Sequence, residues 1–245
     1  MTDKLVSIIT PTYNCAKFIG RTIESVQAQT YTNWEMVIVD DQSKDNTKEI
    51  VESYMKDDPR IKYHLLEVNS GAAVARTTSM KLAKGSYMAF LDSDDVWTPD
   101  KLEKQLKWME KTGHAFTCTA YEQIDEDDKL LGKTIKTITK TDYNRLLLDC
   151  PVGNSTVMYK VEKMGKFEVP NIRKRNDDAL WLTMLKKEKY IWGMSDVLMK
   201  YRIRQNSISS NKLKVIKYHW ILYREIEHLS IPRSVFHIGY WCVIK

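Results

Sequence analysis

Glycine-rich phosphate loops are missing from this chain of 245 residues. No Gly-x-Gly-x-x-Gly follows a candidate strand, where the segment instead reads Pro11-Thr12-Tyr13-Asn14-Cys15 and Gly20 stands alone, and no Gly-x-x-x-x-Gly-Lys-[Ser/Thr] occurs. Dinucleotide-binding folds and P-loop NTPases are thereby excluded. Cysteine is also scarce: Cys15, Cys118, Cys150 and Cys242 are far apart and form no C-x-x-C pair. That excludes a disulfide framework or a zinc cluster and fits reduced thiols in a cytosolic protein. No apolar run approaches the roughly 20 residues of a spanning helix. Leu5 to Ile9 is too short for a signal-peptide core, and Pro11 follows at once, so the chain is expected in the cytoplasm. An EF-hand opening at Asp92 fails too, since its fifth position is Val96 and its required glycine is Trp97.

The charge that is present is unevenly placed. Net charge is +6, and residues 199–245 alone carry +7, from nine Lys or Arg against Glu225 and Glu227. A basic region on a near-neutral body suggests an anionic partner such as a diphosphate or an anionic lipid. Nucleic acid is not expected, because the tail holds no recognisable nucleic-acid motif.

Hydrophobic periodicity predicts strands at Leu5–Thr10 (ended by Pro11), Trp34–Val39, Ile61–Leu66 and Tyr87–Leu91. Helices are predicted at Phe18–Val26, Asn46–Met55 (capped by Asp45), Gly71–Ala83 and Pro99–Lys111. Such alternation predicts an α/β fold with a parallel sheet, whose ligands sit beyond the carboxyl ends of the strands. Asn14, Asp40, Asp41, Asn69 and Asp92 to Asp95 all fall there. Downstream, Ala115–Ile124 and Lys133–Ile138 read as a hairpin around an acidic turn, Asp125 to Asp128. Thr141 is placed to cap a helix to Asp149, Asn154–Tyr159 reads as a strand, and Asp177–Glu188 as an amphipathic helix. Tyr190–Met194 and Val197–Arg202 read as two short strands, and the chain is helical and aromatic from Lys212.

Asp92-Ser93-Asp94-Asp95 follows the fourth strand. Asp92 and Asp94, two residues apart at a strand end, have carboxylates that can converge on one cation. Oxygen donors suit Mg²⁺ or Mn²⁺, and such a metal can hold a substrate diphosphate. The bland alternative is a solvated acidic turn with Asp95 as a helix cap.

Four blocks in order then carry a resemblance. They are Val6-Ser7-Ile8-Ile9-Thr10-Pro11-Thr12-Tyr13-Asn14, Val39-Asp40-Asp41-Gln42-Ser43, Asn69-Ser70-Gly71 with Ala75-Arg76, and Gly85 with Phe90-Leu91-Asp92-Ser93-Asp94-Asp95-Val96-Trp97. Together, over residues 5–100, they resemble the family 2 glycosyltransferases. Gln42 departs from the glycine common there, and Thr77 from an asparagine. Lys174 to Leu182 is similar to the segment carrying the family's catalytic base. Counting back from Trp181 makes Asp177 the base and Asn176 its neighbour; reading Asp177-Asp178 as the acidic pair makes it Asp178. The first count is preferred. Tyr201-Arg202-Ile203-Arg204 and Ser207-Ile208-Ser209 also resemble some bacterial members.

The resemblance implies a GT-A fold: a Rossmann-like nucleotide-binding half with a mixed sheet and a C-terminal helical extension. The expected division is residues 1–110 for the nucleotide-sugar half, 111–205 for the acceptor and base half, and 206–245 for a basic aromatic helical extension. It implies an inverting transferase with a UDP-sugar donor and Mn²⁺ or Mg²⁺. The metal would be held by Asp94, helped by Asp92 or Asp95; alternatively Asp92 would hold the ribose hydroxyls and leave Asp94 as the main ligand. Pro11, Tyr13, Asp41, Asn69, Arg76 and Ser93 would line the nucleotide-sugar site, and Arg202 and Arg204 would bind the diphosphate. Asn154 and Ser155 are the acceptor-site candidates. The acceptor would be a glycan or lipid-linked oligosaccharide of the cell surface, such as O-antigen, capsule or lipopolysaccharide core. The basic C-terminal helices suit docking on the inner face of the cytoplasmic membrane. Competing readings are a catalytically inactive subunit of a glycan-assembly complex and a sugar nucleotidyltransferase.

Overall fold

The computed structural model describes residues 4–204 and 212–244. Its first half runs β1 Val6–Thr12, α1 Ile19–Gln27, β2 Trp34–Asp40, α2 Thr47–Asp57, β3 Ile61–Leu65, α3 Ala72–Leu82, β4 Tyr87–Phe90, β5 Val96–Trp97 and α4 Lys101–Thr112. The second half runs β6 Phe116–Ile124, β7 Leu130–Ile135, β8 Lys140–Thr141, α5 Tyr143–Leu148, a 3₁₀ turn Asn154–Thr156, β9 Met158–Lys160, α6 Val161–Met164, α7 Asn176–Leu185 and β10 Ile191–Arg202. The chain then continues as α8 Lys212–Ile221, a π-helical turn Leu222–Ile226 and α9 Ile231–Ile244.

One mixed sheet joins these strands in the order β3-β2-β1-β4-β9-β6-β10-β5, with β7 beside β6 and β8 beside β10. β3, β2, β1 and β4 are parallel, and β9 runs antiparallel to both β4 and β6. The central strands β1, β2 and β4 are buried along their whole length, as expected of parallel strands covered on both faces. Alternate side chains divide the core. Ile9, Val37 and Phe90 pack under α3 and α7, whereas Ile8, Ile38 and Ala89 pack under α1, α2 and α4. The order reverses between β1 and β4, which opens a crevice past their carboxyl ends. The approach at the opposite end is tight: a Cβ on Gly85 would sit 2.6 Å from the Ser7 backbone nitrogen.

The mixed α/β architecture and the C-terminal helices are as expected; several boundaries are not. Pro11 does not end β1, which continues to Thr12 opposite Asp40. The β4 ladder has stopped at Ile9, so no partner on that side requires the N–H that proline lacks. Thr141 lies in β8, and Asp142 caps α5 by accepting from the Arg145 N–H at 2.9 Å. The expected strand from Asn154 begins as a 3₁₀ turn and becomes β9 only at Met158. The two short strands near residue 195 are one, β10, with irregular register between Met194 and Met199. α7 is buried almost all round rather than amphipathic, because it lies between the sheet and the C-terminal helices.

Candidate active site

Three loops at the carboxyl ends of β1, β2 and β3 are tied to one another. The Asn14 backbone N–H donates to Ser43 Oγ at 2.8 Å, and Asn14 Oδ1 accepts from the Lys44 N–H at 2.7 Å. Asn14 and Gln42 both have positive φ, 48° and 67°. Gln42 therefore occupies a backbone well in which glycine is at ease; its side-chain amide donates to the Leu66 carbonyl. Buried Asp41 accepts from the backbone N–H groups of Ser70 (2.6 Å) and Gly71 (2.8 Å), and the Asn69 amide donates to the Asp41 carbonyl at 2.7 Å. Asp41 and Asn69 thus shape the entry to α3 together. Pro11 is buried at the floor, while the Tyr13 ring is half exposed above it.

The acidic turn after β4 is held from several sides. The Asp95 N–H closes it onto the Asp92 carbonyl at 3.1 Å. Thr22 Oγ1 on α1 lies 2.9 Å from the carbonyls of both Ser93 and Asp95. Asp92 Oδ1 accepts from Arg76 (3.0 Å) and from the Asn154 amide (2.8 Å). Burial raises the Asp92 carboxyl pKa; Asp94 and Asp177 push it further up, against Arg76. Asp94 is partly exposed and accepts from Arg204 at 3.1 Å. Asp95 is turned inward. Its Oδ1 accepts from the Arg202 N–H at 3.0 Å and its Oδ2 from the Ser155 hydroxyl at 2.5 Å. Burial, then the two neighbouring aspartates, hold its pKa well above the usual range. Its place is that of a buried strut joining the turn to β10, neither a helix cap nor an open ligand position.

The two arginines at the end of β10 part company. Arg202 is buried, with Nε donating to the Asp94 carbonyl and Nη1 to the Asp125 carbonyl, both at 2.8 Å. Its Nη2 pairs with Asp128 at 2.5 Å. The guanidinium expected at a diphosphate is thus turned toward the protein by these three contacts. Arg204 is partly exposed, stands 5.1 Å from the Phe18 ring centroid and, among the described residues, pairs with Asp94 alone. Arg202→Ala should therefore lower unfolding stability by about 3 kcal/mol, through carbonyls left unsatisfied in the interior. Arg204→Ala should change it by less than about 0.5 kcal/mol while raising the donor KM. Denaturant unfolding and steady-state kinetics on both variants check this.

The two aspartates opening α7 also differ. Asp178 is buried and ion-paired with Arg175, itself in the left-handed region at φ 61°. Asp177 is partly exposed, and no hydrogen bond or ion pair holds its carboxylate among the described residues. It lies close enough to Asp92 to raise that group's pKa. The helix is anchored by Trp181, which meets Phe90 edge-on with ring centroids 4.9 Å apart. This aromatic contact helps set the carboxylate on α7 against the acidic turn after β4. Asn176 accepts from Arg76, closing a buried chain from α7 through α3 to Asp92.

Ser155, expected toward an acceptor, is buried and spends its hydroxyl on Asp95 and on the Asp92 N–H (3.0 Å). That commits its one donor and one of its two acceptor positions inside the fold. Asn154 borders the site through Asp92, and its Oδ1 is buried without a partner among the described residues. Thr22 and the pairing of Asn176 with Arg76 were not foreseen: a lone threonine on an apolar helix face carries no sequence signal. Ser207-Ile208-Ser209 lie outside the described residues.

The chain belongs to glycosyl transferase family 2, whose family model matches residues 7–175. The family match and the fold together make this chain, with its carboxylate crevice at the switch point of a mixed sheet, a glycosyltransferase of GT-A architecture. It is 45% identical over 241 residues to TuaG of Bacillus subtilis strain 168, named provisionally as a teichuronic acid biosynthesis glycosyltransferase; the match covers 98% of this chain and 94% of TuaG. It is 39% identical over 241 residues to WfgD of Escherichia coli, a UDP-Glc:alpha-D-GlcNAc-diphosphoundecaprenol beta-1,3-glucosyltransferase, covering 98% of this chain and 93% of WfgD. The crystal structure of S. aureus TarS 1-349 in complex with UDP-GlcNAc has the same fold, with a TM-score of 0.72 at 20% identity over 95% of this chain and 70% of that one.

Proposed function

We propose that the chain transfers a hexose from a UDP-sugar, with inversion, to a lipid-diphosphate-linked glycan in cell-surface polysaccharide synthesis. The single observation that carries the reading is that Asp177, held by no hydrogen bond or ion pair among the described residues, opens α7 near Asp92, in the acidic turn that also presents Asp94 beside Arg204. The similarity to WfgD supports the donor and acceptor classes. A lipid-linked acceptor places the reaction at a membrane surface, where this chain works peripherally. Among the described residues no helix is long and apolar enough to cross a membrane.

Asp177 accepts the proton of the acceptor hydroxyl as that oxygen attacks the anomeric carbon, and the UDP leaves from the opposite side. The stereochemistry at that carbon inverts in a single displacement. Arg204 places a guanidinium beside the leaving diphosphate, where charge-assisted bonds strengthen as negative charge grows. Asp41 and Asn69 would shape the rim of the nucleoside pocket through the entry to α3, and Tyr13 offers its exposed ring for stacking. Arg76 holds Asp92 in place.

The donors present suit a divalent cation. Among the described residues no three His, Cys, Asp or Glu cluster as a closed metal site. Mg²⁺ and Mn²⁺ need only one or two protein carboxylates when substrate phosphates and water complete the shell. Asp94, whose carboxylate accepts one hydrogen bond among the described residues, would hold the ion, and Asp92 would assist through its second oxygen. A bound ion would supply Lewis-acid stabilisation of the departing diphosphate.

The test uses UDP-glucose, UDP-galactose and their N-acetyl forms with a synthetic GlcNAc-diphospholipid, with Mn²⁺ or with EDTA. Acceptor-dependent release of UDP from one donor, abolished by EDTA, is expected, and NMR should show a β-linkage made from the α-linked donor. An α-linked product would overturn inversion. Full activity in EDTA would overturn the metal, and no UDP binding at all would overturn the donor class.

A further inference from the structure

α9 is turned inside out for a helix at a protein surface. Ser234, His237 and Trp241, at helical spacing, form its buried face. Trp241 packs 4.6 Å from His219, and His237 lies 5.4 Å from Tyr223. Tyr223 in turn donates to the Leu147 carbonyl at 2.9 Å, fastening the C-terminal helices to α5. The opposite face carries Ile231, Val235, Phe236 and Val243, which are 57%, 56%, 61% and 87% exposed. A soluble surface helix shows the reverse pattern, polar outward and apolar inward. Arg233 is the one residue of Ile231–Ile244 with a permanent charge.

We infer that this face of α9 lies in the interface of an anionic bilayer, its axis parallel to the surface. Length and charge choose the occupant. At about 1.5 Å per residue the helix is about 21 Å long, and it is not a membrane-crossing helix. Such a helix suits the boundary between head groups and acyl chains. Lys217 and Arg233 are exposed beside it and Arg224 is partly so. Of the two acids in residues 199–245, Glu227 is buried and paired with Lys186 at 2.8 Å. Among the described side chains the exposed charge beside α9 is therefore mainly basic, Lys217, Arg224 and Arg233 against Glu225, which favours anionic head groups over a second copy of the same positive surface. The aromatic side chains divide between the two tasks: Tyr223 and Trp241 pack inward, whereas Phe236 faces out. The inference rests on the proposed lipid-linked acceptor only for its biological sense.

The experiment is co-sedimentation of the full chain with phosphatidylcholine vesicles, with and without added phosphatidylglycerol. Wild type is expected to sediment with the anionic vesicles, less so at high salt, and hardly with neutral ones. Phe236→Glu and Val243→Glu should each lower partitioning about tenfold or more, since burial of a large apolar side chain is lost. Both positions are exposed, so melting temperature and Mn²⁺-dependent UDP binding should be unchanged. Absence of wild-type sedimentation, or equal sedimentation of Phe236→Glu, overturns the inference. So does a dimer that Phe236→Glu dissociates and that does not bind vesicles, because the occupant is then a second copy. Vesicle binding by a chain that fails to bind UDP upholds the docking face and sinks only the proposed transfer.

Discussion

Asp177→Asn is expected to slow sugar transfer by about 10²–10⁴-fold, the range for loss of a general base. Binding of the UDP-sugar should persist, because Asp177 makes no hydrogen bond or ion pair with the residues that build the nucleotide pocket. The neighbouring substitution has a different signature. Asp178 is the ion-pair partner of Arg175 beneath the C-terminal helices, and Tyr223 and Cys150 lie in its field. Asp178→Asn leaves a buried guanidinium without its counter-charge, which costs about 3–5 kcal/mol of stability. Turnover, UDP affinity and thermal unfolding, measured together on both variants, separate the roles. A stable Asp178→Asn protein that has lost turnover, beside an active Asp177→Asn protein, would reverse the assignment.

Asp94→Ala should lower kcat/KM on the order of 10³-fold, since a cation at a leaving diphosphate is worth several kcal/mol. Mn²⁺-dependent UDP binding should weaken in parallel, whereas UDP binding measured in EDTA should change little. Folding should be nearly untouched. The Asp94–Arg204 pair is partly exposed on both sides, and such pairs contribute little to stability. Isothermal titration of UDP with Mn²⁺ and with EDTA separates loss of the metal from loss of the pocket. Unchanged Mn²⁺-dependent affinity in Asp94→Ala would remove this residue from the metal site.

Much of the architecture was legible because it is local or periodic. The buried central strands announce themselves as apolar runs, and the polar residues at their ends are found by counting past the last apolar position. Trp181, used in the sequence only to count back to Asp177, proves to be the contact that sets α7 against β4. Gln42, which departs from the usual glycine, keeps the glycine-like backbone at φ 67°. Side-chain allegiance was much less legible. Arg202 and Arg204 are two residues apart and chemically alike, yet one is buried beneath the Asp125–Asp128 turn and the other stands at the crevice. Asp92, Asp94 and Asp95 are likewise a single acidic run, of which Asp95 turns inward.

Read residue by residue, the chain already dictates the alternating α/β order, the family, and the carboxylates available past the strand ends. These depend on hydrophobic period and on residue identity at particular positions. Tertiary structure alone decided which carboxylate is free, which arginine is a strut and which side of α9 faces out. In the crevice the partners lie 60 to 110 residues away in the chain, Ser155 for Asp95 and Asp94 for Arg204, whereas Asp178 is taken by Arg175 three residues away and α9 packs on His219 and Tyr223. A hydrogen bond or ion pair across that separation leaves no periodic trace, because it is set by where the sheet brings the two segments together.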